Sequence, residues 1–109
     1  MKLNIYNKKQ VVKTYEVEAY DIKFGTLEDI TKAIDLDSLK TGSNVEIIKM
    51  AGKLILTNIE TFKALFKDIF DGITDEELKK ASLKEMATVI VDIVKYTINE
   101  LNFGNNGKN

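Results

Sequence analysis

The sequence predicts an α+β fold, mostly α, with an N-terminal β-hairpin or small meander followed by about four helices. Three observations lead there. Apolar and polar residues alternate up to Gly25, the period of a half-buried strand. Beyond Gly25 the apolar residues recur at three- and four-residue steps. Thr26, Ser43, Thr74 and Ser82 each stand three positions before an acid. That is the pattern by which a hydroxyl and a carboxylate satisfy the free amides of a helix start.

The strands come first. Leu3 and Ile5 share one face, Asn7-Lys-Lys-Gln10 interrupts, and Val11, Val12, Thr14, Tyr15, Val17, Ala19 and Tyr20 supply a β-branched and aromatic return run. The loop lacks the Asn-Gly pair of a two-residue turn, so the pattern does not specify its register. Thr26 to Asp29 opens a short helix carrying Leu27, Ile30 and Ile34, which stops around Asp35 to Ser38, before Thr41-Gly42. Ser43 to Glu46 opens the longest apolar stripe, running to Asp71 with Gly72 as the residue after the cap. This exceeds the usual helix length of ~8–20 residues, so a break is expected at Gly52 or at Thr57-Asn58-Ile59. Thr74 caps a short helix through Leu78, and Ser82 caps the last, whose face includes Leu83, Met86, Ala87, Ile90, Ile93, Val94, Ile98 and Leu101.

The 109 residues fit one domain, 1–102, with a β part over 1–25, a helical part over 26–102 and a flexible tail at 103–109. The chain has no Cys, His, Trp or Pro, and its sixteen basic residues are all Lys. A disulfide framework, a thiolate nucleophile, a His-based triad and a His-ligated metal site are thereby excluded. Without Arg there is no planar fork for guanine or phosphate, and the net charge of −1 is no basic footprint, so no nucleic-acid partner is expected. No stretch approaches the ~18 uninterrupted apolar residues of a membrane span, and the N-terminus does not open an apolar signal segment.

Candidate chemistry is sparse. Asp35 and Asp37, with Asp68, Asp71 and Asp75-Glu76-Glu77, are the carboxylates that could gather a hard cation. The last three fall in a helix's first turn, where negative charge suits the dipole, and Asp35-Leu36-Asp37 lacks the ligand spacing of a calcium loop. No metal or cofactor is expected. Lys49, Lys53 and Lys95 stand among apolar residues, but lysines on amphipathic helices carry their ammonium groups to solvent. The glycines never take a phosphate-loop spacing. A helix-turn-helix reading of 75–81 and 83–101 fails on the apolar breadth of its second helix. The chain therefore reads as non-enzymatic, and its remaining signal is apolar surface. Phe62, Phe66, Phe70, Val89, Val91 and Tyr96 either close on one another as core or mark a partner surface. The exposed members of Phe62, Phe66, Phe70, Val91 and Tyr96 are the expected partner-binding residues.

The order of segments resembles a family. Met1-Lys-Leu-Asn-Ile-Tyr6, Phe24-Gly-Thr-Leu-Glu-Asp-Ile30, Val45-Glu-Ile-Ile-Lys-Met50, Leu65 through Leu78 and Val91-Asp-Ile-Val-Lys-Tyr96 together look like the tail assembly chaperones of long-tailed phages and prophages of Gram-positive bacteria. The most telling part is Phe70-Asp-Gly-Ile-Thr-Asp-Glu-Glu-Leu78, a helix stop with a capped restart. The resemblance covers nearly the whole chain, and its motifs are structural rather than catalytic.

It implies a protein that binds the tape measure protein and tail tube protein in the bacterial host cytoplasm, shields their hydrophobic helices, and is absent from the mature virion. Self-association is a further expectation, as is a longer product made by a ribosomal frameshift near Gly107-Lys108-Asn109. The alternative is a structural virion component, such as a tail completion or connector subunit, whose N-terminal strands extend a neighbour's sheet. A third is a small regulatory adaptor that captures a host protein.

Overall fold

The computed structural model describes residues 1–35, 37–38 and 44–101. Two strands, β1 (Lys2–Asn7) and β2 (Gln10–Glu16), form an antiparallel hairpin. Five helices follow among the described residues: α1 (Phe24–Ala33), α2 (Asn44–Thr57), α3 (Ile59–Ile69), α4 (Asp75–Lys79) and α5 (Leu83–Glu100). The α+β class is as the periodicity predicts. Thr41-Gly42, the Ser43 cap and the tail 103–109 lie outside the described residues.

The hairpin turns over two residues, Lys8 and Lys9, with Asn7 opposite Gln10. Lys8 takes a φ of 59°, a left-handed conformation usually left to Gly or Asn. The register slips by one residue between Ile5 and Tyr6, so Ile5 faces Lys13 while Tyr6 faces Val11. That bulge is what the loop sequence could not specify. The strand ends at Glu16 rather than continuing to Tyr20, although Val17 still donates its N–H to the Met1 carbonyl at 2.9 Å.

A lone hairpin is marginal in water, and this one is held on three sides. Its inner face buries Leu3 and Ile5. The outer edge of β1 is covered by the segment entering α5: Tyr6 N–H donates to the Lys80 carbonyl at 3.0 Å, and Ile5 forms a bridge with Ala81. Glu85, in the first turn of α5, accepts from the Asn4 N–H at 3.0 Å and from the Tyr6 hydroxyl.

Helix starts divide into those made locally and those made by packing. Thr74 is a full capping box: its hydroxyl accepts from the Glu77 N–H at 3.1 Å, and the Glu77 carboxylate accepts from the Thr74 N–H at 3.1 Å. Ser82 caps α5 by accepting from the Glu85 N–H at 3.3 Å, but the Glu85 side chain turns to the hairpin instead of reaching back. The Thr26 cap is corrected. Helix α1 begins at Phe24 with Lys23 in the cap position and no side-chain hydrogen bond there. Thr26 therefore sits inside the first turn.

The long stripe from 43 to 71 breaks at Asn58, between α2 and α3, and runs unbroken through Gly52. The reason is competition for carbonyls. Thr57 Oγ1 donates to Lys53 O at 3.0 Å and Asn58 Nδ2 donates to Leu54 O at 3.1 Å. Those contacts suit a helix end better than a helix interior. At the other end α3 stops at Ile69, two residues before the expected Asp71, because Phe70 swings to extended ψ and buries its ring. Gly72 then turns the chain at φ 89°.

Glu77 also ties the hairpin to α4. It accepts from the Tyr15 hydroxyl at 2.6 Å and pairs with Lys13 Nζ at 3.2 Å. The Tyr15 bond first, then Thr74 and Lys13, hold its carboxyl down at about 2, against an ordinary 4.5. A carboxyl depressed by folding stabilises the fold above its unfolded pKa and loses that contribution as pH falls through its folded one. Glu77 should thus be one source of stability lost between pH 4.5 and about 2. Urea titrations of the parent and Glu77→Gln across that window check it. The variant should be less stable at neutral pH and lose less on acidification, and equal acid slopes would remove Glu77 as the source.

Candidate functional site

The five expected partner-binding residues do not form a surface. Phe62 and Phe66 are 0% exposed, Phe70 1% and Val91 5%, while Tyr96 is half-buried. This corrects the expectation for the first four. The α3 stripe, with Leu65 and Ile69 beside the phenylalanines, is spent on the core that it shares with α5 and the hairpin. Phe66 and Phe70 stack with ring centroids 6.5 Å apart, and Tyr15 closes on Phe70 at 6.3 Å.

The other candidates serve local structure. The Asp35 carboxylate accepts from the Ser38 N–H at 2.7 Å, and that bond holds its pKa low. Asp68 accepts from the Tyr20 hydroxyl, and Asp75 pairs with Lys67 at 2.6 Å. Desolvation, reinforced by the Asp68 bond, pushes the Tyr20 phenol up to about 12. No three carboxylates converge among the described residues. Nor is any described helix long and apolar enough to cross a membrane.

What remains open is a groove between α2 and the start of α5. Helix α2 carries apolar residues on two stripes. Ile47, Ala51, Leu54 and Ile55 are buried in the core. Val45, Ile48, Gly52 and Leu56 form the second stripe and, with Leu83 and Ala87 of α5, line a groove of about 540 Å³. Three of these side chains stand well into solvent: Val45 is 65% exposed, Leu56 57% and Leu83 39%. Lysines flank the apolar floor from both helices, Lys49 and Lys53 from α2 and Lys84 from α5. Two of the three lysines that the sequence sets among apolar residues, Lys49 and Lys53, thus belong to one groove, whereas Lys95 lies farther along α5.

The groove's depth comes from Gly52, which has no side chain where Leu83 faces it. A Cβ there would meet Leu83 at 3.9 Å, an ordinary contact, and α2 keeps its helical course through the residue. Gly52→Ala should therefore stabilise the chain by about 0.5–1 kcal/mol through the helix backbone alone. Chemical denaturation would measure this, and a loss of stability would mean that the two helices approach more closely at this point. The signal in the sequence was the 45, 48, 52, 56 spacing. It is hidden because the neighbouring buried stripe has the same period.

No family model, curated protein or solved structure matches the chain. The functional reading therefore stands on the residues and the geometry alone.

Proposed function

We propose that the chain is a tail assembly chaperone of a long-tailed phage or prophage. It acts without enzymatic chemistry in the host cytoplasm, binds amphipathic segments of the tape measure protein and tail tube protein, and is released before the virion is complete. The observation that supports this most is the open apolar groove between α2 and α5, whose exposed Val45, Leu56 and Leu83 suit a client helix read at i, i+3, i+4 and i+7. The resemblance of the segment order to such chaperones supports it independently.

Co-expression with the tape measure protein of the same locus tests the proposal. The chain should keep the tape measure protein soluble and co-purify with it, and mass spectrometry of purified virions should not find the chain. Stoichiometric presence in virions would replace this reading with the structural-subunit one. That second reading draws on β2, whose Val11 and Val12 are 50% and 59% exposed on the strand that could extend a neighbour's sheet. Lys8, Lys9 and Lys13 crowd that strand and its turn, a charge pattern that discourages edge pairing.

A further inference from the structure

We infer that the α2–α5 groove selects an amphipathic helix whose apolar stripe is flanked by carboxylates; this rests on the chaperone reading for its biological client but not for its chemistry. The length and the charge of the groove carry the inference. From Val45 to Leu56 the floor follows α2 for about three turns, roughly 17 Å. A helix of about that length can therefore lie along it. Lys49, Lys53 and Lys84 border the floor, and none of the described residues that line it is a carboxylate.

The nearest acids of α5, Glu85 and Asp92, line a neighbouring hollow with Lys2, Ser82 and Thr88 on the hairpin side, and Lys84 stands between that hollow and the groove. Glu85 is moreover engaged with Asn4 and Tyr6. Among its described lining residues the groove thus presents lysines as the charged groups beside its apolar floor. A second copy docking by the same face would bring lysines against lysines, which disfavours a symmetric pair. An acidic helix would meet all three lysines while its stripe covers Val45, Leu56 and Leu83.

The test uses two helix-stabilised peptides of identical leucine stripe, one flanked by Glu and one by Lys, with binding to the full chain read by fluorescence anisotropy. The Glu peptide should bind about tenfold or more tightly than the Lys peptide at low salt. The gap should close near 1 M salt, where charges are screened beyond about 3 Å. Combined Lys49→Glu, Lys53→Glu and Lys84→Glu should reverse the preference, and Leu56→Glu should weaken both peptides; circular dichroism confirms that each variant is folded.

Equal affinity for the two peptides, binding of neither, or a preference unchanged by the triple reversal would overturn the inference. So would a chain that sediments as a dimer through this face and becomes monomeric on Leu56→Glu, since the occupant would then be a second copy. The outcomes also separate the two proposals. Capture of the tape measure protein without charge preference keeps the chaperone and removes the acidic client. Charge-selective peptide binding without tape-measure capture does the reverse.

Discussion

Phe66→Ala should lower the unfolding free energy by about 3–5 kcal/mol, the cost of removing a buried phenylalanine and leaving its cavity. The ring is fully buried and stacks on Phe70, which in turn contacts Tyr15 of the hairpin. Its loss therefore opens the junction of α3 and β2 rather than one helix. Domains of this kind are stable by about 5–15 kcal/mol, so the variant spends a large fraction of the whole. Urea unfolding should show a lower midpoint with an unchanged slope. A loss below about 1 kcal/mol would mean that Phe66 is not packed as described. The same variant separates core from docking surface. If it folds normally yet fails to capture a client, the α3 stripe is a binding face after all.

The second large effect is expected at Glu85. Its carboxylate accepts the Asn4 N–H at 3.0 Å and the Tyr6 hydroxyl, so it is a charged acceptor linking α5 to β1. Hydrogen bonds to charged groups contribute about 1.5–3 kcal/mol, and Glu85→Ala also leaves two part-buried donors unmatched. A loss of about 2–3 kcal/mol should follow, with faster amide exchange in the hairpin than in the centre of α5. Glu85→Gln keeps one acceptor oxygen and should lose less. The bond to Glu85 also raises the Tyr6 phenol above its ordinary pKa. Either variant should bring that titration back down, as followed by tyrosinate absorbance. An unchanged Tyr6 titration would show that the contact is not made in solution.

These two positions show how far local pattern reaches. Period-two alternation identifies β1 and puts Leu3 and Ile5 on its buried face, because a strand's side chains must alternate whatever packs against it. Thr74 and Glu77 satisfy each other's backbone within four residues, so their capping box is legible without any tertiary partner. The break near Asn58 is legible for the same reason: its side chain competes for a carbonyl of its own helix. The start of α1 was not, since Phe24 opens that helix with no side-chain cap for a motif to reveal.

Ser82 and Glu85 mark the boundary most sharply. Their spacing is that of a capping box, yet only the serine half forms, because the folded hairpin brings Asn4 and Tyr6 to the carboxylate. A charged acceptor gains more from two incoming donors than from one local amide. The candidate partner residues follow the same logic. The stripes of α3 and α5 have the breadth of either a core or an interface, and Phe62, Phe66, Phe70 and Val91 become core once they meet one another.

What the sequence determined by itself was therefore the local part: the α+β class, the hairpin, the caps at Thr74 and Ser82, the break near Asn58, and the elimination of chemistries that need Cys, His or Arg. These depend on contacts within a few residues or on composition. The tertiary structure alone decided which apolar stripe is covered. Val45, Ile48, Gly52 and Leu56 share their period with the buried stripe beside them, and only the placement of α5 leaves them open between lysines. Burial is set by what lies opposite a helix face, and a helical period names the face without naming its neighbour.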